Sequence, residues 1–132
     1  MAQAINWTID VQVVGGPSSS AAGTTNVDAY DKIGVVVPGG DSGSPETASV
    51  DVQPGGAGKV KLLLLTSDLY GEDLTYDVDA GVSNVKLDSP QLLIGEGANG
   101  LLNAPPKTIT FSNGMGVGSD ANIVILVGRD AT

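Results

Sequence analysis

Five acidic residues lie close together in one short segment, with no basic residue among them. They are Asp68, Glu72, Asp73, Asp77 and Asp79. Calcium binds about six to eight oxygen atoms, mainly from carboxylates and carbonyls on loops. Asp73, Asp77 and Asp79 are therefore candidate calcium ligands, although their spacing does not match an EF-hand loop. We favour the simpler interpretation of a solvated acidic surface, and we assign no metal ion and no other cofactor from the sequence.

Residues 40–45, with the sequence Gly-Asp-Ser-Gly-Ser-Pro, resemble the nucleophile motif of chymotrypsin-like serine proteases. In those enzymes a histidine removes the serine proton, and an aspartate orients that histidine. This chain has no histidine, so Ser42 lacks such a base. The same residue types are preferred in turns. The segment therefore predicts a surface turn.

Two glycine-rich segments have partial phosphate-binding spacing. Residues 95–100 match G-x-G-x-x-G, but Pro105 leaves room for about one helical turn, whereas the dinucleotide motif needs a βαβ crossover. Gly58 and Lys59 are similar to the end of a phosphate-binding loop, but Val60 stands where such a loop has the Ser or Thr that binds magnesium. Neither segment predicts a nucleotide site.

The chain contains neither histidine nor cysteine. This composition excludes an imidazole base, a thiolate nucleophile and the ordinary zinc, haem and iron–sulfur sites. Paired carboxylates can hydrolyse glycosides, but the single tryptophan, Trp7, lies in the apolar pattern of a strand and provides no cleft for a sugar. We therefore predict no catalytic residue and no enzymatic activity.

The acidic residues outnumber the basic ones by fifteen to six, giving a net charge of −9. Binding to phosphate backbones or anionic lipids depends on clustered Lys and Arg, and the basic residues here are scattered. We therefore expect neither a nucleic-acid partner nor a membrane partner. The N-terminal residues lack the pattern of a signal peptide, so we expect none in the sequence as given. The apolar run from Leu62 to Leu65 is far shorter than a bilayer span. We expect a soluble chain whose compartment the sequence does not identify.

Apolar and polar residues alternate in several short segments. The clearest is the first, in which the apolar residues alternate with polar ones over nine residues, as in a half-buried antiparallel strand. These apolar residues are Ile5, Trp7, Ile9, Val11 and Val13. Residues 59–66 begin with alternation and continue with four leucines, which is typical of a strand covered on both faces. Further strands are predicted near residues 31–37, 48–52, 74–78, 85–87, 91–94, 108–111 and 123–127.

These segments predict eight or nine short strands separated by turns that are rich in the 19 glycines and 7 prolines. No segment has the apolar spacing of an amphipathic helix. We predict an all-β chain, folded as an antiparallel β-sandwich of the jelly-roll type with no substantial helix, in a single domain over residues 1–132. Residues 15–26 lack periodicity and predict a long loop or flexible arm. Residues 123–127 predict a central strand that is paired along both edges.

The function predicted from these features is that of a non-catalytic structural or assembly protein that forms a homo-oligomer. Aromatic residues make up only 4% of the chain, and oligomerisation is one remedy for a small core. The alternative is a calcium-dependent carbohydrate-binding module that uses the acidic cluster. Sugar binding needs an exposed aromatic ring, and Tyr70 is the best candidate for it. Exposure of Tyr70 therefore distinguishes the two hypotheses.

The predicted central strand can be tested by placing a charge within it. We expect Val124→Asp or Ile125→Asp to prevent folding, because a buried carboxylate without a partner is costly. Soluble expression with cooperative thermal unfolding of either variant would show that the core assignment is wrong.

Overall fold

The computed structural model describes residues 3–52, 59–103 and 107–130. Ten strands and one short helix, α1 (Glu96–Asn99), form the described part of the chain, and a 3-10 turn (Gly100–Leu102) follows α1. This single helical segment, in the glycine-rich stretch, matches the predicted room for about one turn. The strands are β1 (Gln3–Gln12), β2 (Ser18–Val27), β3 (Ala29–Val37), β4 (Glu46–Asp51), β5 (Lys59–Ser67), β6 (Leu74–Val78), β7 (Val85–Lys86), β8 (Gln91–Ile94), β9 (Thr108–Asn113) and β10 (Ala121–Asp130).

Eight of these strands form two four-stranded antiparallel sheets. Sheet I has the order β3-β10-β5-β8, and sheet II has the order β4-β9-β6-β7. The chain passes repeatedly from one sheet to the other, which is the arrangement of a double-sheet jelly roll. The predicted all-β sandwich is therefore confirmed. The remaining strands, β1 and β2, pair with each other in a separate two-stranded sheet.

The core lies between the two sheets and follows the period-two alternation of their strands. In β6, Leu74, Tyr76 and Val78 are buried, whereas Asp77 is exposed. The Tyr76 ring lies 6.0 Å from that of Phe111 on β9, at an interplanar angle of 53°. Such tilted aromatic pairs are favoured over face-to-face stacks. The few aromatic rings of the chain thus include a central pair in sheet II.

Strand β10 pairs with β3 on one side and β5 on the other, so its predicted central position is confirmed. Ile125 is fully buried in the core. Val124 has the opposite orientation and is half-buried on the outer side of sheet I. The two aspartate substitutions therefore place the charge in different environments, and the loss of folding is expected from Ile125→Asp.

Most of the segment predicted as a loop over residues 15–26 is a strand, so that prediction was wrong. Strand β2 pairs with β1 in continuous register, from Gln3 opposite Val27 to Gln12 opposite Ser18. Backbone hydrogen bonds to β1 hold β2 in place, and these bonds do not depend on side-chain hydrophobicity. Because the residues of β2 are mostly small, the sequence shows no alternation of apolar and polar side chains there. We call this β1–β2 hairpin, residues 3–27, the arm.

One residue, Asp28, connects the arm to the sandwich, since β2 ends at Val27 and β3 begins at Ala29. The Asp28 amide donates a hydrogen bond of 2.9 Å to the carbonyl of Arg129 on β10. The Arg129 side chain forms an ion pair with Asp31 on β3, at 2.6 Å. The junction between arm and sandwich is therefore fixed by both backbone and side-chain contacts.

The fully buried Asn113, at the end of β9, connects the two sheets. Its amide nitrogen donates to the carbonyl oxygens of Val37 (3.0 Å) and Ser119 (2.8 Å). Its amide oxygen accepts a hydrogen bond of 3.0 Å from the Met115 backbone. The side chain thus satisfies three backbone groups from β3 and from the loop that precedes β10.

We expect Asn113→Ala to reduce the free energy of unfolding by about 2–4 kcal/mol, because buried backbone groups lose their partners. For a domain of this size, the melting temperature should fall by about 10 °C. Thermal and urea unfolding measure both effects. The control is Asn6→Ala, since Asn6 is exposed and accepts one hydrogen bond from Thr24. Equal stability of the Asn113 and Asn6 variants would contradict the structural role.

The carboxylate of Asp68 joins the end of β5 to the start of β10. One oxygen accepts a 2.8 Å hydrogen bond from the Asn122 backbone, and the other accepts a 2.7 Å bond from the Asn122 side chain. These bonds, with the side-chain bond having the larger effect, lower the pKa of Asp68 from its ordinary value of 3.8. The ionised form of Asp68 is therefore more favourable in the folded state than in the unfolded state.

A lowered pKa in the folded state stabilises the protein above the unfolded-state pKa, and this contribution disappears as the pH falls through the folded-state value. We expect Asp68→Asn to melt at a lower temperature than the parent protein at pH 7. The difference should shrink below about pH 4. Asp88→Asn, which removes the same charge from an exposed position, is the control. A difference that stays constant from pH 7 to pH 3 would contradict this role for Asp68.

Candidate interaction surface

The three candidate calcium ligands are not brought together. Asp73 precedes β6 and Asp79 follows it, so the whole of that strand, about 16 Å long, lies between them. The Asp77 carboxylate accepts a 2.7 Å hydrogen bond from the backbone of Asn84. Among the described residues, no group of three His, Cys, Asp or Glu side chains is arranged to hold a metal ion. The acidic cluster is therefore distributed over a strand and its two flanking turns.

Tyr70 is not an exposed aromatic platform. Its half-buried ring packs against the core cluster. Its hydroxyl oxygen accepts a 2.9 Å hydrogen bond from the backbone of Ser67. Both the ring and the hydroxyl group thus contribute to the local structure, which removes the main feature that favoured sugar binding at Tyr70.

The other motif residues occupy turns and element ends. An isolated bridge between Asp41 and Ser44 closes the turn that contains exposed Ser42, as predicted. Lys59 begins β5, whereas the preceding Gly58 lies outside the described residues. No described motif residue is therefore placed in a site with evident chemistry.

The base of the arm packs on the outer side of sheet I, at Gly128. A Cβ atom at this glycine would lie 2.7 Å from Cδ1 of Ile5 and 3.0 Å from Cγ1 of Val27, so the close approach requires glycine. Val27 and Leu62 are only 1% and 2% exposed, yet both lie outside the core cluster between the sheets. The arm base thus forms a second, small apolar cluster on the outer side of sheet I.

Beyond its base, the arm carries an apolar face that becomes increasingly exposed toward the tip. The Trp7 ring lies over Gly23, where a Cβ atom would be 2.6 Å from the indole. The indole nitrogen donates a 3.1 Å hydrogen bond to the Thr25 hydroxyl. Ile9 is half-buried, and Val11 is 60% exposed. The apolar side of β1 therefore lies outside the core cluster, and its base contacts the outer side of sheet I. The sequence pattern identified this face but not its position.

Sheet I has an apolar outer side next to the arm base. Leu92, Leu64 and Leu126 are direct neighbours across β8, β5 and β10, and all three are half-buried. Ile94 and Val124 lie in the adjacent rows and are also half-buried. We call these five residues the outer apolar face. The prediction that β5 is covered on both faces holds for Leu62, whereas Leu64 retains access to solvent.

The arm and the outer side of sheet I thus each carry an apolar surface that solvent can reach. Apolar patches that remain accessible commonly mark interaction sites, and both surfaces are built on paired strands. In the described part of the chain, no helix is long and apolar enough to cross a membrane. The sequence patterns had identified the strands concerned, but which sheet faces remain uncovered depends on the tertiary arrangement.

Comparisons of the chain with protein-family models, with curated proteins and with solved structures give no match.

Proposed function

We propose that this protein is a non-catalytic structural subunit that assembles with copies of itself. The observation that carries the proposal is the pair of accessible apolar surfaces, the arm face and the outer apolar face, on a chain whose net charge is −9. A high net charge opposes non-specific association. Apolar surfaces that persist on such a chain are best explained by specific contacts.

The architecture is compatible with this role. Double-sheet jelly rolls occur in viral capsid domains and also in lectin domains. Because one fold can support several functions, the fold alone does not select between them. The projecting arm favours assembly, since a two-stranded hairpin outside the sandwich gains little stability by itself and provides a surface for a neighbouring subunit.

The alternative, a calcium-dependent carbohydrate-binding module, is supported less well. It needs an exposed aromatic ring beside the calcium ligands, whereas Tyr70 is half-buried and hydrogen-bonded. Asp73 and Asp79 lie at opposite ends of β6. A measurement in solution with and without calcium distinguishes the two functions. The carbohydrate-binding module requires calcium, whereas the structural subunit does not.

We expect size-exclusion chromatography with light scattering to show an oligomer of a single size, with a mass of at least twice the 13.2 kDa of one chain. The mass and the melting temperature should be the same in millimolar calcium and in chelator. A monomer at all accessible concentrations would contradict the assembly role. A mass or melting temperature that changes with calcium would favour the carbohydrate-binding alternative.

A further inference from the structure

We infer that the apolar face of the arm in one copy docks on the outer apolar face of sheet I in a second copy. This inference rests on the proposed self-assembly and identifies the surfaces that carry it. The contacting residues are Trp7, Ile9 and Val11 on the arm, and Leu64, Leu92, Val124 and Leu126 on the sheet.

The proposed contact continues a packing arrangement that already exists within one chain. Ile5 and Val27, on the same side of the arm as Trp7 and Ile9, contact Gly128 on the outer side of sheet I. Leu62, directly opposite Gly128 on β5, is thereby almost fully buried. The arm base therefore demonstrates the packing mode, and the neighbouring row of Leu64 and Leu126 offers the same apolar chemistry to a second arm.

The side chains of the two faces have matching spacing along their strands. Trp7, Ile9 and Val11 recur every second residue along β1, which corresponds to about 7 Å. Leu62, Leu64 and Thr66 recur at the same interval along β5. Sheets that pack face to face lie about 10 Å apart and interdigitate their side chains. The arm can thus lie on sheet I as a small third layer of the sandwich.

The distribution of charge on the chain also favours this contact. The outer sides of β10 and β5 present Leu126 and Leu64, and within this described row Lys32 on β3 is the one charged residue. The arm face carries Trp7, Ile9 and Val11, whereas Asp10 lies in the alternate register. The acidic residues that make the chains repel each other are therefore absent from both described surfaces. A second copy can approach without burying a carboxylate.

The size of the arm face determines how the contact must be arranged. Three rows on two strands cover a footprint of about 200 Å², well below the ~800 Å² per partner of a stable interface. A single docked arm is therefore insufficient. Each subunit must give one arm and receive another, so that two such contacts and the surfaces beside them stabilise the assembly together.

Paired cysteine substitutions test the contact directly, because the natural chain contains no cysteine. The variant Ile9→Cys/Leu126→Cys carries one thiol on each surface. On oxidation with diamide, we expect disulfides between chains, seen as species of twice the 13.2 kDa mass or more on non-reducing gels. Their formation should be at least about tenfold faster than in Thr8→Cys/Leu126→Cys, since docking raises the local thiol concentration.

The control variant places its arm thiol on the polar side, where Thr8 is exposed. Disulfides only within a chain would show that the arm folds onto its own sheet, and would overturn the inference. Equally fast linking of Ile9→Cys alone would show arm-to-arm contact, and linking of Leu126→Cys alone would show sheet-to-sheet contact. Each of these results would also overturn it. If the double variant does not fold, Val11→Cys/Leu92→Cys provides a second pair with the same expected result.

Failure of this inference is distinguishable from failure of the proposed function. A multimeric mass by light scattering, together with linking no faster than in the Thr8 control, would reject this arm contact but leave self-assembly standing. A monomeric mass would reject both. Linking above the control in a multimeric protein supports both.

Discussion

The two central strands of sheet I, β5 and β10, have apolar side chains on both faces, and the rest of the structure depends on how these faces are covered. Leu63 and Ile125 face the core, whereas Leu64 and Leu126 face outward. Sheet II covers the inner side completely. The arm base covers only part of the outer side, through Ile5 and Val27 at Gly128. The uneven coverage of these two strands accounts for both the stable sandwich and the accessible surface beside it.

Most of the sandwich could be predicted from local patterns, because its strands alternate clearly and end at Gly or Pro turns. The period-two burial of Leu74, Tyr76 and Val78 is an example. Strand β2 could not be predicted in this way. Its pairing with β1 depends on backbone hydrogen bonds, and its Ser, Ala, Gly and Thr residues carry no alternating hydrophobicity that would mark them as a strand.

The candidate sites were less predictable than the strands, because proximity in sequence does not establish proximity in space. Asp73, Asp77 and Asp79 are close along the chain, but an extended strand separates the first from the last. The role of Tyr70 depends on a hydrogen bond to its hydroxyl group, which no local pattern indicates. The outer apolar face was equally hidden, since it becomes evident only when β5, β8 and β10 are placed side by side.

The single residue between the arm and β3 has a geometric consequence. Asp28 is held to β10 through its backbone amide, so the direction of the arm is set by the sandwich and not by a flexible linker. The arm is about 30 Å long, and a rotation of about 10° at this joint would move its tip by about 5 Å. The joint is therefore a fixed connection at the base of a long arm. Small changes at Asp28 or Arg129 would therefore alter the direction in which the whole arm points from the sandwich.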